Sequence, residues 1–389
     1  MDLGTDTPEA APTSAFTPES GVVPEMVGRA LRFDSPRYRP TDSYADVAAD
    51  KVWRAHTSLG LTGESRESIL ALVREVCAPW AGLPVGTPPE HSCWVSIDGM
   101  PFELSIAWAG DKPGVRLSLE CPGSGTPRSR MEDSMALTRR LAGRPGVSID
   151  RCLRVEDLFT DDAPQGFFSV AHAMAWLPGR PPAYKVFLNP AVRGREQAAA
   201  ATEEAMARLG LERPWRALAG HLDGVDDPAH EPVAVALDLV DTDEFRVQVY
   251  VAHSGVSAED IDGMAAVARD WVPGTFARAL SQINGPHDAA AWQRKPPVTC
   301  FTLDSEHDAP SAAAYIPIIP VHDDDAAARD RVAAFLRTEG LDPTSYARVL
   351  EAVADRPLSE SVTQNFISYR GGDDPRFSVY LAPGAYRPA

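Results

Sequence analysis

The sequence lacks the features that mark several large classes of protein. No apolar run approaches the roughly 20 residues that a membrane-spanning helix needs. Positive charge is scarce, and the formal net charge of −18 argues against non-specific binding to nucleic acid or to an anionic membrane. The five cysteines are odd in number and have no paired short spacing, so we expect buried reduced thiols rather than disulfides or a zinc site.

Motifs of several enzyme classes are also missing. Acidic runs such as 323–325 do not complete the DDxxD or NDxxD spacing of magnesium-dependent terpenoid synthases. HExxH and GxSxG are absent, and the fragment 123–125 is too short for a dinucleotide fingerprint. We therefore expect neither a metal nor another cofactor. In so acidic a chain, a phosphate site would be a local cationic pocket for a small phosphorylated ligand.

Residues 1–24 are acidic and rich in proline, threonine and serine, without a basic segment or an apolar core. This composition predicts a disordered tail rather than a signal peptide, and a cytoplasmic location by default. The whole chain is 44% apolar, which is enough for a sizeable core in the remaining residues, 25–389.

The stretch 245–251 alternates strictly, as a β-strand does. One face would carry only apolar side chains, and the other would carry Arg246, Gln248 and Tyr250, a row that can bind an anion. The pattern recurs along the chain. One polar or aromatic position in each of five strands is separated from the next by 69, 65, 65 and 65 residues, namely Arg116, Lys185, Tyr250, Tyr315 and Tyr380. This spacing indicates an internal repeat.

The order of predicted elements is two helices followed by two strands, five times over, which gives ten strands. Short loops join the strands of each pair, so the sheet should be antiparallel. The sheet could be open or closed, and the five recurring residues favour closure. We therefore predict one α+β domain over 25–389, a ten-stranded antiparallel barrel with a solvent-filled lumen surrounded by α-helices.

At this point the sequence resembles a known family. The segments that carry the resemblance, in order, are 101–105, 115–120, 184–187, 246–250, 314–317 and 377–380. They are similar to the indole prenyltransferases of the dimethylallyltryptophan synthase type, and the compact sequence looks more like the bacterial branch. The resemblance covers about residues 45 to 385 and implies the ABBA or PT barrel. It also implies transfer of a dimethylallyl group from its diphosphate to the indole ring of L-tryptophan by electrophilic aromatic substitution, without a metal.

Two groups of residues would serve the prenyl donor. The diphosphate would be bound by charges and neutral donors on the inward faces, namely Arg116, Lys185, Arg246, Gln248, Tyr250, Tyr315 and Tyr380. The allyl cation would be shielded by aromatic rings, each contributing about 0.5–2 kcal/mol, namely Phe187, Tyr250, Tyr315 and Tyr380. The family often has tyrosine at Phe187, lysine at Gln248 and glutamine at Ala313, so some of its phosphate donors are replaced here.

The acceptor side depends on Glu103, which lies on an otherwise uncharged inward face. The resemblance implies that its carboxylate accepts the indole N–H hydrogen bond, which orients the ring and raises its nucleophilicity. Trp94 and Val95, just upstream, would help to hold the amino acid. His172 stands thirteen residues before Lys185, where some relatives have a basic residue, and is the candidate base for the ring proton. Its own strand face is largely apolar, which favours a structural histidine instead.

Other functions stay open at this stage. The same barrel could prenylate a phenolic or naphthalene compound, or an indole already built into an indolactam or cyclic dipeptide, with geranyl diphosphate as a second possible donor. Glu103 favours indoles, because many phenol-specific relatives lack an acid there. A catalytically idle carrier of a phosphorylated or aromatic ligand is the alternative of a different class. The expected partners are small molecules, with no nucleic acid or membrane, and the protein would be a monomer or homodimer. The sequence does not give the ring position.

Overall fold

The computed structural model describes residues 30–90, 93–109, 112–177, 179–222, 229–285, 292 and 295–389. The tail predicted at residues 1–24 lies outside the described residues. Two short strands near the ends of the described chain, β1 (Leu31–Phe33) and β12 (Tyr386–Pro388), pair with each other in antiparallel fashion. The sequence analysis did not predict this small sheet, since strands of three residues carry no recognisable period.

A closed barrel of ten antiparallel strands forms the centre of the fold. Successive strands form five hairpins, and closure comes from the pairing of the last hairpin with both the first hairpin and the fourth. The strands are β2 (Phe102–Ala109), β3 (Lys112–Leu119), β4 (Val170–Trp176), β5 (Ala183–Leu188), β6 (His230–Asp238), β7 (Val247–His253), β8 (Val298–Leu303), β9 (Ser311–Pro317), β10 (Gln364–Arg370) and β11 (Arg376–Leu381). The predicted architecture is confirmed.

Helices precede each hairpin and coat the outside of the barrel. In chain order they are α1 (Tyr44–Ser58), α2 (Arg66–Val76), α3 (Pro127–Leu141), α4 (Asp150–Val155), α5 (Ala198–Arg208), α6 (Glu212–Leu222), α7 (Ala258–Met264), α8 (Thr275–Asn284), α9 (Asp325–Thr338) and α10 (Thr344–Val353). Within the described ranges, no helix combines the length and apolar content that crossing a membrane requires. All five cysteines are buried as free thiols.

The strand pleat separates the two faces of the barrel wall. On β3, Val115, Leu117 and Leu119 are buried in the core formed with the helices. Between them, Arg116 and Ser118 point into the lumen, where Ser118 lies opposite Glu103 of β2. Burying one aliphatic side chain stabilises the fold by about 1.5–3 kcal/mol. A one-residue slip would exchange the two faces of a strand, so the packing of the helices fixes which side chains reach the lumen.

Candidate active site

A cavity of about 610 Å³ occupies the lumen at the end of the barrel next to β12. Its walls are inward side chains of the barrel together with loop residues and the C-terminal strand. Five of the cavity-lining residues are barrel residues predicted from the sequence, namely Glu103, Phe187, Tyr250, Tyr315 and Tyr380. Ser118, which also lines the cavity, pairs with Glu103 across β2 and β3. The lumen therefore brings residues far apart in sequence into one chamber.

Four aromatic rings form a continuous row along the cavity wall. This aromatic row consists of Phe187, Tyr250, Tyr315 and Tyr380, from strands β5, β7, β9 and β11. Successive ring centroids are 6.0, 5.5 and 5.4 Å apart, and the hydroxyls of Tyr315 and Tyr380 are 2.9 Å apart. Burial raises the pKa of Tyr250 and Tyr315 well above the usual value, so both keep their protons. The row can therefore stabilise a cation through its ring faces and donate hydrogen bonds through its hydroxyls.

A cationic cluster lies one inward-facing position deeper than the cavity lining. Arg116 donates from Nη2 to Ser378 Oγ at 2.9 Å, and its guanidinium carbon is 5.8 Å from the centroid of the Tyr380 ring. Lys185 Nζ lies 3.0 Å from Asp238 Oδ1 and also donates to Gln248 Oε1. The cationic cluster, defined here as Arg116, Lys185 and Gln248, thus adjoins the aromatic row. Arg116 does so through the Tyr380 ring, Gln248 through the Tyr250 hydroxyl at 3.3 Å, and Lys185 through Gln248.

Arg246 stands apart from the other predicted cations. It precedes β7, its side chain is 55% exposed, and its Nη2 lies 2.9 Å from Asp238 Oδ2. Asp238 therefore bridges Lys185 and Arg246, a contact that the sequence analysis missed. Burial acts to raise the pKa of Asp238, but Lys185 and Arg246 outweigh it and the pKa is lowered. Alternation along β6 with Ala234 and Ala236 could have placed Asp238 in the lumen.

Glu103 is the buried carboxylate of the acceptor side, with 4% of its surface exposed. Its Oε1 accepts a hydrogen bond of 2.6 Å from Asn365 Nδ2. Burial raises the pKa of Glu103 to about 8, while Asn365 and Lys295 act to lower it and Asp98 to raise it. The carboxyl therefore changes its charge near neutral pH. Asn365 and Lys295, which also line the cavity, were not selected from the sequence, because neither lies in the repeated pattern.

Trp94 and Val95, the residues predicted to hold the amino acid, line the same cavity as Glu103. The Trp94 ring stacks on Phe168 with centroids 4.1 Å apart and planes 9° apart. The Trp94 backbone N–H donates to Glu120, which is buried and lies 3.6 Å from Arg130 Nη2. A buried ion pair thus fixes the loop that carries this part of the wall.

His172 does not reach the cavity. It pairs in register with Leu119 and Val186, both on the outer face of the wall, and its Nε2 lies 2.8 Å from Thr138 Oγ1 on α3. Burial lowers the pKa of His172 to about 3. Cross-strand pairing places Ala173, and not His172, opposite the inward-facing Lys185. Because neighbouring residues of a strand point to opposite faces, the imidazole of His172 lies on the side of the wall that faces the helices. The expectation that His172 faces the ring proton is therefore corrected.

A closed barrel that encloses a cationic cluster, an aromatic row and a buried carboxylate is the chamber of an aromatic prenyltransferase. Residues 57–349 match the family described as tryptophan dimethylallyltransferase, and the chain belongs to this family. It is an indole prenyltransferase. Across the described part of the chain, no three His, Cys, Asp or Glu side chains cluster so that they could hold a metal ion.

Solved structures of other members match nearly the whole chain. The 6-dimethylallyltryptophan synthase from Micromonospora olivasterospora, solved with DMASPP and Trp, is 30% identical with a TM-score of 0.81, over 90% of this chain and 99% of that chain. The 5-dimethylallyltryptophan synthase from Streptomyces coelicolor is 26% identical with a TM-score of 0.80, over 89% and 99%. AnaPT from Neosartorya fischeri, 18% identical with a TM-score of 0.70 over 88% and 93%, shares the fold.

Proposed function

We propose that this enzyme transfers the dimethylallyl group of dimethylallyl diphosphate to a carbon of the benzenoid ring of free L-tryptophan, without a metal ion. The observation that carries the proposal is that one lumen holds the cationic cluster, the aromatic row and the buried carboxyl of Glu103. Relatives named as 5- and 6-dimethylallyltryptophan synthases support the benzenoid ring as the site of attachment.

The cationic cluster would bind the diphosphate. Ionisation of the allylic C–O bond leaves pyrophosphate, a multiply charged anion that is costly to bury without positive partners. Arg116 and Lys185 would supply fixed charge, Arg246 would add charge at the barrel end, and Gln248 would add a neutral donor. Stabilisation of the leaving group by these side chains replaces the role that a divalent ion plays in other prenyl-transferring enzymes.

The aromatic row would protect the dimethylallyl cation between cleavage and attack. Each ring face contributes about 0.5–2 kcal/mol of cation stabilisation, depending on desolvation. Phe187 retains the ring face at a position where a tyrosine hydroxyl would have added a phosphate donor. The hydroxyls of Tyr315 and Tyr380, which contact each other, can turn toward the diphosphate.

Glu103 would orient the acceptor by accepting the indole N–H hydrogen bond, with Trp94 and Val95 holding the amino acid against the wall. As the ring carbon bonds to the cation, positive charge spreads to the indole nitrogen, and the carboxylate stabilises it. A carboxylate that is hydrogen-bonded to the indole N–H does not reach the proton on the benzenoid carbon that is prenylated. After the new C–C bond has formed, the substituted ring carbon loses its proton. We assign this proton to the released pyrophosphate, and its loss restores the aromaticity of the ring.

The test is product formation from L-tryptophan and dimethylallyl diphosphate in the presence of EDTA, followed by mass spectrometry and NMR. A tryptophan prenylated on the benzenoid ring is the expected product, at a rate that EDTA does not change. Parallel reactions with a tryptophan-containing cyclic dipeptide, and with geranyl diphosphate, provide the comparison. Faster turnover of either alternative would overturn the assignment of the acceptor or the donor.

A further inference from the structure

Lys295 is connected to Glu103 through one intervening residue. It lies just before β8, and its Nζ donates to the main-chain oxygen of Asn365 at 2.6 Å and to that of Ile319. The ammonium also lies 4.4 Å from the centroid of the Phe366 ring. One side chain therefore ties the end of β9 to the start of β10. The Asn365 side chain, anchored at that point, donates to Glu103.

The charge of Lys295 also acts on Glu103. The cavity wall carries seven further charged or titratable groups besides Glu103 and the aromatic row, namely Asp98, Lys295, His322, Asp323, Arg356, Tyr386 and Arg387. Both arginines bind Asp34, and burial lowers the pKa of His322. Asp98 is itself an acid and accepts hydrogen bonds from Ser96 and three backbone N–H groups. Lys295 also lies on this wall, and its ammonium acts to lower the pKa of Glu103, which favours the carboxylate form.

We propose that Lys295 is a positioning residue for Glu103: its charge favours the carboxylate form, and its hydrogen bonds to the main-chain oxygens of Ile319 and Asn365 fix the segment from which the Asn365 side chain aims the carboxylate at the acceptor N–H. The inference rests on the proposed role of Glu103 as acceptor of the indole hydrogen bond. It assigns to Lys295 no contact with the substrate. Removing the ammonium should therefore change the ionisation of Glu103 and leave the donor side unaffected.

The first test does not depend on turnover. Proteins labelled with ¹³C in the glutamate carboxyl groups are titrated by NMR, and Glu103→Gln identifies the Glu103 signal. In Lys295→Met we expect the midpoint of the Glu103 titration to move to higher pH by about one unit, which corresponds to a tenfold weaker acid. Lys295→Arg should restore most of the wild-type midpoint. An unchanged midpoint in Lys295→Met would refute the proposal, whichever acceptor the enzyme uses.

The second test is the pH profile of kcat/KM for L-tryptophan. Because the ionised carboxylate is the active form, activity should rise with pH through the titration of Glu103, and Lys295→Met should shift that rise to higher pH. The KM for the prenyl donor should stay within about twofold of wild type. A loss of activity by the same factor at every pH would indicate a merely structural lysine. Inactivity of the wild-type protein with tryptophan would instead overturn the proposed function and leave the NMR titration as the deciding measurement.

Discussion

The two charged regions of the lumen differ in how their charges are compensated. On the donor side, Lys185 of the cationic cluster shares Asp238 with Arg246, whose side chain is half-exposed to solvent. At the acceptor side, Glu103 is almost fully buried, and its direct hydrogen-bond partner is the neutral amide of Asn365. The donor side thus has cations paired with a carboxylate, whereas the acceptor side has a carboxyl group whose ionisation is opposed by burial.

This difference sets how each region should respond to change. The donor region has several cations, so losing one leaves the others to bind the diphosphate. The acceptor region depends on one carboxylate in one place, so losing its charge should have the largest effect on catalysis.

Glu103→Gln should lower kcat by about 10²–10³-fold, because the charge that stabilises the developing indole cation is lost while the amide keeps the shape. The KM for dimethylallyl diphosphate should stay nearly constant, since the Glu103 carboxyl is hydrogen-bonded to Asn365 and not to Arg116 or Lys185. Steady-state kinetics with each substrate varied in turn checks both expectations. Thermal unfolding should show no loss of stability, and near-native kcat in a folded protein would refute the role of Glu103.

Lys185→Met should raise the KM for the prenyl donor by about 10–100-fold, as expected when a hydrogen bond to a charged group worth about 1.5–3 kcal/mol is lost. Arg246→Leu should weaken donor use as well, but by a smaller factor, because solvent and salt screen its half-exposed charge. Donor KM values for both variants at two salt concentrations provide the comparison. A larger rise in donor KM for Arg246→Leu than for Lys185→Met would contradict the expected order of the two effects. Unaltered donor kinetics in Arg246→Leu would show that Arg246 does not bind the diphosphate.

Asp238→Asn should tighten binding of pyrophosphate by about three- to tenfold at low salt, because the variant removes an anion that competes for Lys185 and Arg246. The inhibition constant of inorganic pyrophosphate measures this directly, without requiring a particular acceptor. Ser311→Ala, which changes an uncharged inward position at the same end of the barrel, is a suitable control. Weaker pyrophosphate binding in Asp238→Asn would mean that the carboxylate chiefly orients the two cations.

The sequence predicted the barrel and most of its inner surface because both follow from local periodicity. Strict alternation identified which side chains of a strand share a face, and the 65-residue spacing placed Tyr250, Tyr315 and Tyr380 at equivalent positions. Once the barrel closes, equivalent positions on successive hairpins become neighbours in the lumen. The aromatic row is thus a direct consequence of the repeat.

Other features of the site depend on contacts that no local pattern encodes. Lys295 precedes its strand and reaches carbonyls 24 and 70 residues away, and Asn365 contacts Glu103 across 262 residues. Asp238 was missed because the residues that share its face are alanines, which carry no polar signal. His172 was misplaced because a distance counted along the chain does not reveal the register between β4 and β5, which decides the face of the wall.

The smallest effect on activity should come from His172. His172→Phe should change kcat by less than about threefold, yet lower the free energy of unfolding by about 0.5–1.5 kcal/mol, because the buried Thr138 hydroxyl loses its hydrogen bond to the imidazole and keeps the one to the main-chain oxygen of Ser134. The native histidine stays neutral down to a pKa of about 3, whereas the unfolded chain binds a proton near the usual value, so the wild-type protein loses stability as pH falls between these values. In the variant, the free energy of unfolding should therefore fall less steeply over this pH range than in the wild-type protein. Denaturant titrations at several pH values would measure the difference. A hundredfold fall in kcat with wild-type stability would instead show that His172 reaches the reacting ring, against the register that places it beside α3.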